Sequence, residues 1–103
     1  MGEISPIAKR LKEARIKAGL SQKQLGIDTF SASPRINQYE KGKHTPDFAT
    51  ARRLAMVLGV PTPFLYAEDD SMAESILAFG EFPARERRKV LVELQKRSGR
   101  KSR

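Results

Sequence analysis

The chain has no cysteine and a single histidine, His44, among its 103 residues. The first absence excludes a disulfide framework and thiolate metal ligation, so stability must come from packing, and a reducing cytoplasm is the comfortable compartment. The second means that histidine cannot build a metal site. Nothing approaches the ~18 consecutive apolar residues of a membrane span. The opening "MGEISPIAKR" lacks the basic-then-apolar layout of a secretory signal. A soluble, cytoplasmic protein with no membrane association is expected. There is also no glycine-rich phosphate loop, and "EDD" at 68–70 reads as a solvated acidic patch. These gaps argue against catalysis and imply no cofactor.

What is present is positive charge. The net charge is +8 and the pI about 10.2, which favours a polyanionic partner because each phosphate neutralised by Lys or Arg releases condensed counterions. The charge is unevenly spread. Residues 1–66 carry 11 basic and 5 acidic side chains, 67–82 carry 5 acidic and no basic ones, and 84–103 carry 9 basic and 2 acidic. A chain of 11.6 kDa supports one compact domain with an appended element, too little for two independent cores.

Helix-start signals recur at Ser5-Pro6, Ser33-Pro34, Thr45-Pro46 and Thr62-Pro63, each a hydroxyl able to cap orphan N–H groups before a proline suited to the first turn. Ser21 opens a fifth start, where "SQKQ" has the form of a reciprocal capping box. Gly19, Gly42 and Gly59 stand where left-handed residues would end helices. Between these marks the apolar period is helical, as in Ile7, Leu11, Ala14 and Ala18, then Phe48, Ala51, Leu54, Ala55 and Leu58. No strand alternation is visible. The predicted order is helices at about 5–18, 21–29, 33–41, 46–58 and 62–66, an all-α bundle.

Beyond it, "AEDDS" at 67–71 reads as a linker or helix cap. "SMAESILAFGEF" and "PARERRKVLVELQKR" read as two additional helices broken near 80–83, and "SGRKSR" as a disordered basic tail. These helices lack the apolar residues for a core of their own. Met72, Ile76, Leu77, Phe79, Phe82, Val90, Leu91 and Leu94 must cover either the first bundle or another subunit.

At about 100° per residue, the helix at 33–41 puts Ile36, Tyr39 and Glu40 on one side and Pro34, Gln38 and Lys41 on the other, with Arg35 and Asn37 at the flanks. Amide and guanidinium groups carry the forked donors and acceptors that match base edges in a DNA major groove. The same face also suits simple solvation. The helix at 21–29 precedes it at helix-turn-helix separation, and Leu25, Ile36 and Tyr39 are available to pin the two together.

With "LSQKQL", "INQYEKGK", "TP" and "LAMVLGV" in order and at the right intervals over residues 7–66, the chain resembles the Xre/Cro-type, lambda-repressor-like helix-turn-helix family. The resemblance implies a five-helix bundle at 1–66; the pattern beyond it is read as a helical extension at 67–98, a candidate dimerisation element, and a basic tail at 99–103. It implies a transcriptional regulator, on family grounds a repressor, that binds double-stranded DNA at a two-fold operator as a homodimer. Ser21, Gln22 and Lys23 match the start of the family's second helix, where the glutamine bonds a phosphate and braces a base-reading side chain. Ser33, Pro34 and Gln38 match base-edge positions, Arg35 and Asn37 match flanking ones, and Lys41 and Lys43 match a loop along the phosphates. Pro34 suits plain helix initiation as well as apolar contact with a thymine methyl. Arg15 and Glu40 match a structural ion pair.

Two positions depart from the family pattern. Gly26 stands where alanine is usual, and Phe30 where a left-handed glycine is usual; that conformation costs an ordinary residue roughly 1–2 kcal/mol. The expectation is a reshaped turn over "DTFSAS", an early end to the second helix, and Phe30 packed inward. A reading of another class stays open: an antitoxin or bridging module whose partner is a protein. RNA binding is less favoured, because Phe and Tyr do not interleave with the basic residues as stacking platforms require.

Overall fold

The computed structural model describes residues 5–99. The first four residues of the expected bundle, and residues 100–103 of the expected tail, lie outside the described residues. Six α-helices and one 3-10 segment follow in order: α1 (Ile7–Lys17), α2 (Gln22–Asp28), α3 (Ser33–Glu40), α4 (Phe48–Leu58), the 3-10 segment Thr62–Tyr66, α5 (Asp70–Gly80) and α6 (Ala84–Ser98). There is no strand among the described residues. The all-α class is as expected. The fifth predicted helix is instead a 3-10 turn, a geometry confined to short runs.

The helical period builds the core. Ile7, Leu11 and Ala14 of α1 meet Leu25 of α2, Ile36 and Tyr39 of α3, and Ala51, Leu54, Ala55 and Leu58 of α4; Phe64 and Leu65 of the 3-10 segment close it. Each fully buried leucine or isoleucine contributes roughly 1.5–3 kcal/mol relative to exposure. Leu25 and Ile36 pin α2 to α3, so orientation of the second and third helices is set by the same contacts that make the core.

The helix starts differ from the sequence reading in detail. Ser21 caps α2, accepting the Gln24 N–H at 2.9 Å, but the Gln24 side chain turns to Asp28 at 2.7 Å rather than closing the box. α4 begins at Phe48, not Pro46: the Asp47 carboxylate accepts the Thr50 N–H at 2.8 Å and provides a stronger cap than Thr45. Ser33 does not cap α3 but is its first residue, with Ala32 at the cap position. Pro34 follows inside the first turn, where its missing N–H costs nothing.

The turn between α2 and α3 corrects two expectations, a reshaped turn and an inward Phe30, and agrees with the early end expected of α2. α2 runs to Asp28, one residue short of prediction, and Thr29 closes it by donating its hydroxyl to the Leu25 carbonyl at 2.7 Å. Phe30 keeps the left-handed conformation, φ 57°, so the turn is retained rather than reshaped. Its ring is 92% exposed instead of inward. The backbone requirement for closing the turn outweighs both the strain and the burial of the ring. Gly26 has a separate reason to lack a side chain: a Cβ there would sit 2.7 Å from the Ser31 carbonyl oxygen. The absent methyl lets the Ser31 N–H reach the Gly26 carbonyl at 2.7 Å.

The two C-terminal helices behave differently from each other. α5, capped by Asp69 through the Met72 N–H at 2.7 Å, lies against the 3-10 segment and buries Ala73, with Ile76 and Leu77 packed on the core. α6 buries no residue.

Candidate nucleic-acid interface

A continuous polar network fixes α3 to the two helices before it. Arg15 of α1 grips Glu40 at the end of α3 with two parallel bonds, Nε to Oε2 at 2.6 Å and Nη2 to Oε1 at 3.0 Å. Its remaining nitrogen, Nη1, donates to the Leu20 carbonyl at 2.9 Å. The Glu40 side chain is only 3% exposed, so this is an interior ion pair. The Glu40 hydrogen bond, more than its charge, holds the Arg15 guanidinium above its ordinary pKa. Gln22 joins from α2: its Nε2 donates to Glu40 Oε1 at 3.1 Å and to Asn37 Oδ1 at 3.2 Å. Both amide hydrogens of Gln22 are committed inside the protein. What Asn37 has left is its own amide N–H group.

The predicted contact residues fall into two groups. Gln22, Ser33, Asn37 and Gln38 are half-buried. Lys23, Pro34, Arg35, Lys41 and Lys43 are exposed, and the four cations among them form no ion pair with the described residues. The Lys43 and His44 N–H groups bond the Gln38 carbonyl at 2.9 and 3.3 Å, so the basic exit from α3 folds back on the helix end. Ser21 is exposed, its hydroxyl oxygen serving as the α2 cap.

Sequence reasoning passed over Arg10, which is 2% exposed. Its Nε donates to the Ala67 carbonyl at 2.9 Å, and its Nη1 reaches Asp70 at 2.9 Å and Glu13 at 3.0 Å. Burial disfavours the Arg10 charge, yet the hydrogen bonds of Asp70 and Glu13 outweigh it and the guanidinium is held above its ordinary pKa. The Arg10 bond, then that of Lys9 at 3.1 Å, holds Asp70 below its usual 3.8. The signal was available: position 10 completes the inward i, i+3, i+4, i+7 row with Ile7, Leu11 and Ala14. A base on that row needs internal acceptors, and the acidic segment after the bundle supplies them.

No buried side-chain nitrogen or oxygen among the described residues lacks a hydrogen-bond partner, and no helix among them is long and apolar enough to cross a membrane. Residues 11–65 match the helix-turn-helix family model, over more than half of the chain. Over 64 residues the chain is 34% identical to the HTH-type transcriptional regulator ImmR of Bacillus subtilis (strain 168), covering 62% of this chain and 50% of that protein. The chain thus spans about half the length of that curated relative. A solved structure, that of the transcriptional regulator BswR, is similar with a TM-score of 0.79 at 40% identity, over 91% of this chain and 98% of the other. With the paired α2 and α3, the Arg15–Glu40 bond and the matched residues all on one framework, the chain belongs to the Xre/Cro-type, lambda-repressor-like helix-turn-helix DNA-binding family.

Proposed function

We propose that the protein is a sequence-specific, double-stranded DNA-binding transcriptional regulator, acting as a repressor on a two-fold operator in the cytoplasm, and that it is not an enzyme. The observation that carries this is the braced α3: its inner side is locked by Ile36, Tyr39 and Glu40, while polar and basic groups unpaired among the described residues line its outer side. A rigid helix with an uncommitted polar face is what reading base edges requires, since each good bidentate contact discriminates by about 1–3 kcal/mol only if it is held in place. Gln38 and Ser33 are the base-edge candidates. Asn37, oriented by Gln22, offers its free amide N–H beside them. Lys23, Arg35, Lys41 and Lys43 supply the phosphate contacts that position the helix.

We further assign homodimerisation to the C-terminal helices. Leu91 and Leu94 of α6 are 46% and 53% exposed. A groove of about 400 Å³ lies beside them, lined by Pro61, Pro63, Ile76 and Phe79 as well as Leu94 itself. Two copies joined there would present two α3 helices to half-sites about one helical turn, roughly 34–36 Å, apart. Both readings are tested by selecting bound fragments from random DNA and footprinting the product. A pseudo-palindrome protected at two half-sites supports them; binding without base preference would sink the first, and protection of a single half-site the second.

A further inference from the structure

The α6 helix carries two rows of side chains on opposite sides. One is Arg87, Val90, Leu91, Leu94 and Ser98; the other is Arg85, Arg88, Lys89, Val92 and Lys96. Both follow the i, i+3, i+4, i+7, i+11 spacing of a single helix face. The first holds Leu91 and Leu94, assigned above to a second copy. The second is exposed throughout and basic at every position but Val92.

The basic row works against the helix that carries it. Arg85 lies three residues from Arg88 and four from Lys89, and like charges at those spacings repel by about 0.2–0.5 kcal/mol per pair. Arg85 and Arg88 also stand near the positive end of the helix dipole, where cations are disfavoured. Compensation is slight: Lys89 reaches Glu86 at 3.6 Å, while Arg85, Arg88 and Lys96 have neither an ion pair nor a side-chain hydrogen bond within the described residues. The folded chain gains only that pair and the favourable place of Lys96 in the last turn of α6. An external polyanion would relieve all of the repulsion at once.

We propose that this row is a second DNA contact, taking phosphates of the duplex that flanks the site met by α3. The inference rests on the reading of α3 as a DNA-binding helix. It commits to DNA because the chain measures 46 × 34 × 22 Å. Its longest dimension caps the separation of the two basic surfaces at less than two turns of duplex, at roughly 34–36 Å each, a distance that a single DNA molecule covers. The row faces away from Leu91 and Leu94, so dimerisation through those residues leaves it open. The sequence continues in the same sense with Arg100, Lys101 and Arg103.

The test is the salt dependence of binding by the full chain carrying Arg85→Gln, Arg88→Gln and Lys96→Gln, none of which touches the core. Each neutralised phosphate adds about 0.9 to the slope of log K against log salt on duplex DNA. The expected result is a slope shallower by about 0.9 for each phosphate that the variant no longer neutralises, on duplexes extended beyond the footprint, with base preference unchanged and a melting temperature equal to or slightly above that of the wild type. Replacing the same three residues by the charged alternatives Arg85→Lys, Arg88→Lys and Lys96→Arg should restore the slope. An unchanged slope in a folded triple variant overturns the proposal, and does so in favour of a membrane if the variant instead loses binding to phosphatidylserine vesicles. Measuring the slope on a mixed-sequence duplex keeps the test separate from base reading: wild type without base preference defeats the role of α3, while the slope still decides the role of α6.

Discussion

Arg15 and Glu40 stand 25 residues apart and meet through two parallel hydrogen bonds of 2.6 and 3.0 Å, tying the first helix of the bundle to the last residue of α3. The same carboxylate accepts from Gln22, so one interior charge sets the position of both helices of the motif. Glu40→Gln keeps the shape and removes the charge, leaving the Arg15 guanidinium in a pocket that no longer neutralises it. The expected loss is about 3 kcal/mol, at the lower end for a broken interior pair because Arg15 retains some solvent. A thermal melt should fall by roughly 10–20 °C, and DNA binding should weaken across all sequences alike. Lost binding with an unchanged melt would contradict this structural role.

Gln38 predicts the reverse pattern. It lies on the outer side of α3, and its side chain makes no hydrogen bond to the described residues. Gln38→Ala should leave the melt within about 0.5 kcal/mol of wild type and cost about 1–3 kcal/mol in specific binding, with relaxed preference at one base position. Titration against single-base variants of the selected site checks it. An equal loss at every variant would assign Gln38 to the backbone instead.

At the turn, the two family departures respond in opposite directions. Phe30→Gly relieves a left-handed backbone and sacrifices no packing, since the ring is 92% exposed. After the extra chain entropy of glycine is counted, a gain of about 0.5–1 kcal/mol is expected. Gly26→Ala installs the residue usual in the family, yet its methyl would press on the Ser31 carbonyl at 2.7 Å, where only backbone can yield. Urea denaturation should show this variant destabilised by about 1–3 kcal/mol. A neutral Gly26→Ala would mean that the turn shifts at little cost.

The tie between Arg10 and Asp70 carries a pH dependence. Asp70 is held below its ordinary 3.8 by Arg10 and Lys9, so it is more acidic folded than unfolded. Its contribution is therefore complete above about pH 4 and is lost as pH falls through the lowered folded value. Asp70→Asn should melt below wild type at neutral pH, and the difference should close as pH falls below 4. Melting curves of both proteins from pH 7 to pH 2 decide it. A gap that persists undiminished at pH 2 would assign the effect to something other than the carboxylate charge.

Dimerisation is best tested with the whole chain. Cutting after Tyr66 would strip Arg10 of the Ala67 carbonyl and Asp70 and so disturb the bundle itself. Leu91→Glu with Leu94→Glu alters two exposed residues and nothing in the core. Sedimentation should show the wild type as a dimer and the double variant as a monomer with an unchanged melt. A dimeric double variant would move the interface elsewhere.

Much of the fold was legible because helices declare themselves locally. A 3.6-residue apolar period needs only neighbours in sequence, and so do a serine cap at Ser21 and a left-handed Gly59. The interval from Gln22 to Glu40 carried the motif in the same way. Less was legible where two local rules competed: Asp47, two residues further on, displaced Thr45 as the cap of α4, and Ser33 entered α3 instead of capping it.

By itself, then, the sequence determined the all-helical class, the helix order and the family, since each rests on periodicity or spacing along the chain. Only the tertiary structure decided that Phe30 stays left-handed with its ring in solvent, because closure of the α2–α3 turn is set by Gly26 and Ser31 together. It also decided that buried Arg10 would find its acceptors at Ala67 and Asp70, 57 and 60 residues away. Charges and strained turns are settled by partners distant in sequence, and a pattern read along the chain does not contain those distances.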